Sequence, residues 1–163
     1  MIIVKKSGYL KYKNFKFRCA LGRAGIKEKK FEGDNITPRG TYRIIKVFYR
    51  SDRIKNLTTR ITKIKIKKNM GWCDDFKSKD YNKLIKIPFK YSYERLFRKD
   101  HIYDLVILIN YNYRPTIRNK GSAIFIHIAK KNYQKTAGCI AVKKKHLLRI
   151  LFNIKNNEKI KIM

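Results

Sequence analysis

The segment GSAIFIHIAKKNYQKTAGCIAV, residues 121–142, contains two apolar runs separated by a polar loop that ends in small residues. The runs are Ile124–Ile128 and Ile140–Val142, and both are rich in β-branched residues. Continuous apolar runs of this length are typical of strands that are covered on both faces of a sheet. A similar run lies at Leu105–Ile109. We therefore predict a mainly β protein with Leu105–Ile109 and Ile124–Ile128 at the centre of its sheet.

Alternation of apolar and polar residues predicts further strands on both sides of this segment. A turn near Lys13-Asn14 is expected to precede the first of these strands, Phe15–Leu21. The lysines of the strand Thr62–Ile66 are expected to face water, and the last strand should point Ile160 and Ile162 inward. These strands are Phe15–Leu21, Thr41–Tyr49, Thr62–Ile66 and Ile160–Ile162.

Helical patterns occur in two places. Lys143–Ile154 carries apolar residues at i, i+3, i+4 and i+7, which predicts an amphipathic helix packed on the sheet. Tyr91–Arg98 is predicted to form a second, short helix that begins near Ser92. No repeat, linker or shift in composition marks a boundary, so we expect a single domain over residues 1–163.

The composition fits a folded domain and excludes two classes of protein. The chain has 163 residues, of which 44% are apolar and 13% aromatic, far more than a disordered chain carries, in spite of a net charge of +31. No apolar run approaches the roughly 18–20 residues that span a membrane. The apolar stretch within Met1–Lys6 is too short for a signal peptide, so the chain as given shows no export signal.

The excess of 42 Lys and Arg over 11 Asp and Glu has two explanations. A cationic surface binds nucleic acid by releasing counterions from its phosphates. The cations are, however, spread along the whole chain among many Ile and Asn residues, as an AT-rich genome would produce without any partner. Such a surface attracts nucleic acid, anionic lipid and cell-wall polymers alike, and we expect no specific nucleic-acid partner.

The cysteines and histidines show no spacing typical of a metal site. The cysteines are odd in number and far apart, so a disulfide framework is not expected and at least one thiol is free. The histidines lack ligand spacing as well. We therefore expect no metal and no cofactor. The residues concerned are Cys19, Cys73, Cys139, His101, His127 and His146.

His127 and Cys139 are the residues of the opening segment that could carry chemistry. Within its apolar strand, His127 is either a satisfied core histidine or a functional one. The small residues Thr136-Ala137-Gly138 lead to Cys139, and a loop returning from the strand would bring this thiol back to the imidazole. An imidazole that takes the proton of a thiol creates a strong nucleophile toward amide carbonyls. Gly138, without a Cβ, could aim the N–H groups of Gly138 and Cys139 at an oxyanion.

These residues resemble a known family. Gly121–His127 followed by Thr136–Ile140 is similar to the active-site signature of the L,D-transpeptidase catalytic domain, the YkuD-type family. The likeness extends over roughly residues 15–163. Two further motifs contribute to it, the first resembling the early Thr-Pro-x-Gly turn of the family and the second a block of one proteobacterial branch. They are Glu32-Gly33-Asp34 with Thr37-Pro38-Arg39-Gly40, and Gly71-Trp72-Cys73-Asp74-Asp75 with Tyr81-Asn82.

The resemblance implies a curved, sandwich-like β fold whose cysteine attacks a peptide bond in a peptidoglycan stem. The bond follows a diaminopimelate residue, the cysteine becomes an acyl-thioester, and the acceptor is an amine of a neighbouring stem, or water in a carboxypeptidase. Carried over to this sequence, Cys139 is the nucleophile, His127 the base and Gly138 part of the oxyanion site. Thr136 orients the loop through its hydroxyl, and Ser122 belongs to the substrate-binding set.

Two positions differ from the commonest form of the signature. That form has a second His before the glycine, where this chain has Ala137, and an Arg two residues after the cysteine, where this chain has Ala141. An arginine there would hold a carboxylate through two parallel hydrogen bonds, so its absence bears on the substrate rather than on the catalytic pair. Lysines or Arg149 are candidates to replace it.

The densest group of acids lies beside the single tryptophan, Trp72. Asp74 and Asp75 are predicted to bind the ammonium group of a diaminopimelate side chain or of an acceptor, with Tyr81 and Asn82 shaping the pocket. The local alternative is that the two acids cap or turn a loop and that Trp72 packs in the core.

Two classes of function compete. The first is a cysteine L,D-transpeptidase or L,D-carboxypeptidase acting on peptidoglycan stem peptides, with an amidase on another amide substrate as its variant. The second is a non-catalytic basic protein that binds nucleic acid or an anionic wall polymer. The pair of His127 and Cys139 favours the enzyme, since binding alone does not need it. We expect a monomer; the resemblance implies the periplasm or cell envelope, and the lack of a visible export signal leaves the cytoplasm open.

Overall fold

The chain folds mainly into β-strands with one α-helix, which confirms the expected class. The computed structural model describes all 163 residues. In chain order the strands are β1 (Ile2–Lys5), β2 (Tyr9–Tyr12), β3 (Phe15–Arg18), β4 (Ile26–Lys27), β5 (Thr37–Pro38), β6 (Gly40–Tyr49), β7 (Lys63–Lys65), β8 (Met70–Cys73), β9 (Leu84–Lys86), β10 (Tyr93–Arg95), β11 (Leu105–Ile109), β12 (Phe125–Ile128), β13 (Ile140–Val142) and β14 (Lys159–Ile162). The helix α1 is Lys144–Asn153, and a short 3-10 turn covers Lys131–Tyr133.

One large sheet dominates the fold. Its strand order is β13-β12-β11-β6-β14-β1-β2-β3, and β7 pairs with β6. Most neighbours are antiparallel, whereas β12 with β13, β1 with β14 and β6 with β7 are parallel. The strands β11 and β12 lie inside this sheet, and every residue of both is buried, as their continuous apolar runs predict. A three-stranded sheet, β10-β8-β9, and the pair β4–β5 complete the structure.

The large sheet curves until its two ends meet. Just beyond β3, the N–H of Ala20 donates to the carbonyl of Ala141 at 2.8 Å, and the N–H of Ala141 donates back at 3.0 Å. This bridge joins the segment after β3 to β13, and these are the two ends of the strand order. An open sheet edge is a template for pairing with foreign strands. The closure gives β13 a hydrogen-bonded neighbour on both sides.

The alternating patterns correspond to strands of the structure. Phe15–Leu21 contains β3, and Thr41–Tyr49 lies within β6. Thr62–Ile66 contains β7, whose two lysines are exposed as expected. Ile160 and Ile162 of β14 are both buried. The predictions of these four strands are confirmed, because burial on one face dictates a period of two in a strand.

The two predicted helices have different outcomes. In α1, Leu147, Ile150 and Leu151 form a buried stripe, which confirms the amphipathic helix. The helix predicted over Tyr91–Arg98 is wrong, since its central residues form β10 and pair with β8. The pairing of β10 with β8, which carries the buried Trp72, overrides the weak helical preference of this segment. No helix of the chain is both long and apolar enough to cross a membrane.

Buried side chains form two clusters that share the large sheet. The larger, which we call the aliphatic core, contains 27 residues, among them Ile107 of β11 and the buried stripe of α1. The smaller, the aromatic cluster, contains 8 residues. Successive residues of β11 alternate between the two because successive side chains of a strand point to opposite faces. The aromatic cluster consists of Phe48, Ile66, Trp72, Leu96, Tyr103, Val106, Leu108 and Phe125.

Candidate active site

A cleft of about 780 Å³ opens next to the aromatic cluster. It is bounded by β10, by β12 and by the loops that precede β12 and β13. Charges of both signs line it, which suits a ligand that carries both. Its lining includes Ser122, Ala123, His127, Thr136, Ala137, Cys139 and Ala141, together with the charged residues Arg23, Lys29, Glu32, Asp74, Glu94, Arg95, Arg98, Lys130 and Lys135.

The thiol of Cys139 lies on the wall of this cleft, half-buried against the aromatic cluster. Its Sγ donates to the carbonyl of Ala123 at 3.1 Å and accepts from the N–H of Phe125 at 3.4 Å. Both contacts come from the chain that enters β12. The sulfur is therefore fixed by backbone groups on two sides.

His127 projects from β12 on the same side as Phe125 and is buried. Its Nδ1 lies 3.0 Å from the carbonyl of Ile128. A carbonyl only accepts, so Nδ1 carries the proton and donates, and the other ring nitrogen, Nε2, keeps a free lone pair. The ring of Tyr103 packs edge-on against the imidazole, with 5.3 Å between centroids. The imidazole is thus held in the tautomer that a general base requires.

Strand register places the thiol and the imidazole on one face. His127 is paired with Ala141 across the parallel strands β12 and β13. Cys139 precedes Ala141 by two residues, and residues two apart share a face of a strand. The two side chains are diagonal neighbours that line one cleft. They make no direct hydrogen bond with each other in this structure.

Burial sets the protonation states of this pair. Burial, and more weakly the nearby Glu94, raises the pKa of the Cys139 thiol to about 12. Burial likewise lowers the pKa of His127 to about 4. Removing water from a charged group favours its neutral form, which explains both directions. At neutral pH the resting cleft therefore holds a neutral thiol and a neutral imidazole rather than an ion pair.

The loop before Cys139 is shaped by two hydroxyl groups. The hydroxyl of Thr136 donates to the carbonyl of Cys139 at 2.6 Å and accepts from the N–H of Gly138 at 3.1 Å. The hydroxyl of Thr37 donates to the carbonyl of Gly138 at 2.8 Å and accepts from the N–H of Gly22. Gly138 has a φ of +140°, and a Cβ there would come within 2.8 Å of the carbonyl oxygen of Ile36. Only glycine fits this position.

This geometry corrects the role expected for the N–H of Gly138. The N–H is occupied by Thr136, because the small side chain two residues earlier folds back on it, so it is not free for an oxyanion. The N–H of Cys139 forms no hydrogen bond within the chain. Gly138 therefore shapes the loop, and the free donor at this point is the N–H of Cys139.

The structure separates the residues predicted to bind substrate into two groups. Ser122, Asp74 and Thr136 line the cleft. Trp72, Tyr81 and Asn82 are buried and lie behind its wall. These three residues support the wall of the cleft and do not line it.

Hydrogen bonds explain why the second group is buried. The indole N–H of Trp72 donates to Oδ1 of Asn82 at 2.8 Å, and the N–H of Ala123 donates to the same oxygen at 3.1 Å. The hydroxyl of Tyr81 donates to Glu32. Asp75 accepts from the N–H of Lys77 at 2.9 Å, as a residue that turns a loop does, and does not line the cleft.

Several cleft residues were missed by the sequence reasoning. Glu94 and Tyr103 lie within segments read as helix or left unassigned, and no local pattern singles them out. Lys29 forms a buried ion pair with Asp34 at 2.5 Å at the cleft edge. Thr37 does not line the cleft but supports the loop before Cys139, through a contact with Gly138 that joins residues far apart in sequence. The only signal in the sequence for Glu94 is that acids are rare in this lysine-rich chain.

Comparison with known proteins identifies the family of this chain. A family model of the L,D-transpeptidase catalytic domain (YkuD) matches residues 1–162. No curated protein matches the sequence. Among solved structures, the chain is similar to L,D-transpeptidase 1 of Mycobacterium tuberculosis with a TM-score of 0.44 and 9% identity, covering 99% of this chain and 60% of that one. The proteobacterial branch stays a prediction. Because the family match spans nearly the whole sequence, the chain belongs to the L,D-transpeptidase catalytic domain family.

Proposed function

We propose that this protein is a cysteine-dependent L,D-transpeptidase that transfers acyl groups of peptidoglycan stem peptides through a thioester on Cys139. The observation that carries the proposal is the placement of the Cys139 thiol and the lone pair of His127 on one face of one cleft. A binding protein gains nothing from a tautomer fixed for proton transfer. We further propose that one catalytic domain over residues 1–163 acts as a monomer, without metal or cofactor.

The first half of the reaction forms the thioester. Nε2 of His127 takes the thiol proton as Sγ of Cys139 attacks the carbonyl carbon, and the free N–H of Cys139 donates to the developing oxyanion. When the intermediate collapses, the carbon–nitrogen bond breaks and the leaving amine takes the proton from His127. Because both resting groups are neutral, proton transfer and attack occur together, once substrate has displaced water.

The second half releases the acyl group. An amine of a neighbouring stem, or water, attacks the thioester carbon while His127 accepts its proton. The carbon–sulfur bond then breaks, and His127 returns the proton to the sulfur of Cys139. An amine acceptor gives a cross-link, and water gives trimming by an L,D-carboxypeptidase. Such substrates place the enzyme in the periplasm or cell envelope, or in the cytoplasm if it trims precursors or recycled peptides.

The carboxylate of a stem peptide would find cations on the cleft rim. Ala141 stands where an arginine would offer a fixed fork, and Arg23, Lys130 and Lys135 line the cleft around it. None of the three forms an ion pair within the chain. Arg149, by contrast, packs over the ring of Phe15, outside the cleft. These rim cations, rather than Arg149, are the proposed partners of a substrate carboxylate.

The test is mass spectrometry of a purified disaccharide-tetrapeptide incubated with the wild-type protein, with Cys139→Ala and with Cys19→Ala. Cys19 is a buried thiol outside the cleft, so its variant controls for the chemical change itself. A covalent adduct, together with a cross-linked dimer or a tripeptide, should appear with the wild type and with Cys19→Ala, and vanish with Cys139→Ala. Binding without any product that depends on Cys139 would favour the non-catalytic protein, and products from another amide would favour an amidase.

A further inference from the structure

Three acids, Glu32, Asp74 and Glu94, line the cleft without a cationic partner, although the chain has 42 Lys and Arg residues and only 11 Asp and Glu. Glu32 accepts from the hydroxyl of Tyr81. Asp74 and Glu94 both line the cleft. No ion pair of the structure includes either of them. With about four cations for each acid, a neighbouring lysine would be easy to supply. These two carboxyl groups are therefore available to a cationic group from outside the chain.

The two acids are placed side by side by strand pairing. Glu94 is the central residue of β10 and is paired with Trp72 of β8, and Asp74 directly follows β8. Burial raises the pKa of Glu94, and the nearby charge of Asp74 raises it further. Arg98 also acts on Glu94, but its guanidinium is held by Asp100 through bonds of 2.9 and 2.7 Å. Tyr103 and Arg98 lower the pKa of Glu94 against the effect of burial, but neither Glu94 nor Asp74 forms an ion pair.

A buried hydroxyl on the same wall is also without a partner. Ser122 is 5% exposed, lines the cleft, and its Oγ forms no hydrogen bond. The buried Oδ1 of Asp74 is unpaired as well. Asn82 bonds to the residue next to each of them, because its backbone N–H donates to the carbonyl of Cys73 and its Oδ1 accepts from the N–H of Ala123. Buried polar atoms are nearly always paired in folded proteins, so the carboxylate oxygen of Asp74 and the hydroxyl of Ser122 are both free to bond a polar group of a ligand.

We propose that Asp74, Glu94 and Ser122 form a subsite for a primary ammonium group of the substrate. An ammonium group has three donors and one positive charge, which matches two carboxylates and one hydroxyl oxygen. The subsite adjoins Ala123, whose carbonyl accepts from the Cys139 thiol. It rests on the proposed function in one respect: a diamino acid of the donor stem, or an amine of the acceptor, is the source of that ammonium group near the reacting sulfur.

The subsite differs from the acidic pair that the sequence suggests. Asp75 turns its own loop and does not line the cleft, and Glu94, from a strand twenty residues further along, takes its place. Glu94 also raises the pKa of Cys139. Arrival of an ammonium group would offset that negative charge and favour thiolate formation. Binding of the correct substrate would thus assist the chemistry.

The first experiment measures binding without catalysis. The probes are a stem tetrapeptide that contains a diamino acid with a free side-chain amine and the same peptide with this amine acetylated. Both are titrated by NMR into the full chain carrying Cys139→Ala, and into that protein with Glu94→Gln, Asp74→Asn or Glu28→Gln added. Glu28 is an exposed acid outside the cleft, so its variant controls for the change in net charge.

The free amine should bind about tenfold more tightly than the acetylated one, since a charge-assisted hydrogen bond in a half-buried site is worth this much. Glu94→Gln and Asp74→Asn should abolish the preference, and Glu28→Gln should keep it. Equal binding of the two peptides, or binding of neither, overturns the proposal. Because the peptide modification needs no change at the subsite, this result does not depend on how the variants fold.

The second experiment distinguishes the source of the ammonium group in the catalytic protein. If the group belongs to the donor, acetylating the donor side chain slows formation of the Cys139 thioester. If it belongs to the acceptor, the thioester forms at the unchanged rate and only its transfer to an amine slows in Glu94→Gln. Absence of thioester with every donor contradicts the proposed function, whereas loss of the amine preference in the binding experiment contradicts the subsite.

Discussion

The two faces of the large sheet are built from the same strands but serve different purposes. On one face, the aliphatic core contains 27 buried residues, covered by α1. On the other, the aromatic cluster has 8, and the thiol of Cys139 packs at its margin. In β12, Ile126 and Ile128 belong to the core, while Phe125 packs in the aromatic cluster and His127 lines the cleft. One strand thus supplies stability and chemistry through alternate residues.

This difference shows how a small protein tolerates an incomplete core on one side. The cleft face contains buried polar atoms without hydrogen bonds, such as Oδ1 of Asp74 and Oγ of Ser122, and buried titratable groups. Each of these lowers the stability of the fold. The aliphatic core offsets these costs because it is apolar and almost completely closed to water. The faces should therefore respond differently to substitution, and the following variants test this.

The largest effect is expected from Ile107→Ala, in the middle of β11 on the core face. Ile107 is fully buried, and truncating such a side chain costs about 4 kcal/mol through lost burial and the cavity left behind. Urea unfolding should show this loss, while the rate of thioester formation per folded molecule stays unchanged. A large fall in that rate would mean that the faces are not independent.

The second effect is specific to the cleft face and depends on pH. The pKa of His127 is about 4 in the folded chain, below the value of roughly 6.5 for an unfolded histidine. Between these values the unfolded chain binds the extra proton, so stability is lost as the pH falls through this window, by about 3 kcal/mol at pH 4.

This pH effect is measured as the difference between the wild type and His127→Gln in urea unfolding at pH 7 and pH 4. His146, whose pKa is also lowered, is present in both proteins and cancels. The variant should lose less stability on acidification. An identical pH dependence of both proteins would show that His127 is not buried in its neutral form.

A smaller effect is expected at the wall between the aromatic cluster and the cleft. Asn82→Ala leaves the indole N–H of Trp72 and the N–H of Ala123 without an acceptor, which costs about 2 kcal/mol. The carbonyl of Ala123 holds the thiol, so thioester formation should also slow by about tenfold. Asn110→Ala, which removes the acceptor of the Arg43 N–H outside the cleft, is the control. Equal rates in the two variants would contradict this link.

Much of the core face was predictable from sequence because its rules are local. A period of two revealed β6, β7 and β14, and helical spacing revealed α1. The helix predicted over Tyr91–Arg98 is wrong because pairing with another strand determines the structure there: β10 forms through its hydrogen bonds with β8. No pattern within that segment reports on a partner strand.

The cleft face was predictable only where a motif was present. The motif residues His127 and Cys139 lie in one cleft, as a returning loop suggests. Whether Trp72 and Asn82 line the cleft or stand behind it depends on one hydrogen bond between them, which sequence does not display. Glu94 had no motif at all. Its position follows from strand register alone.

The contact between Thr37 and Gly138 also bears on when the cleft comes into being. The two residues are 101 positions apart, and the bridge between Ala20 and Ala141 spans a comparable stretch of chain. Contacts so remote in sequence form late in folding, because a long loop must close before they bring any gain. The loop that carries Cys139 therefore takes its final shape only after the N-terminal strands have docked. A partly folded chain therefore has the Cys139 thiol but not the cleft, and the thiol becomes reactive only when the fold is complete.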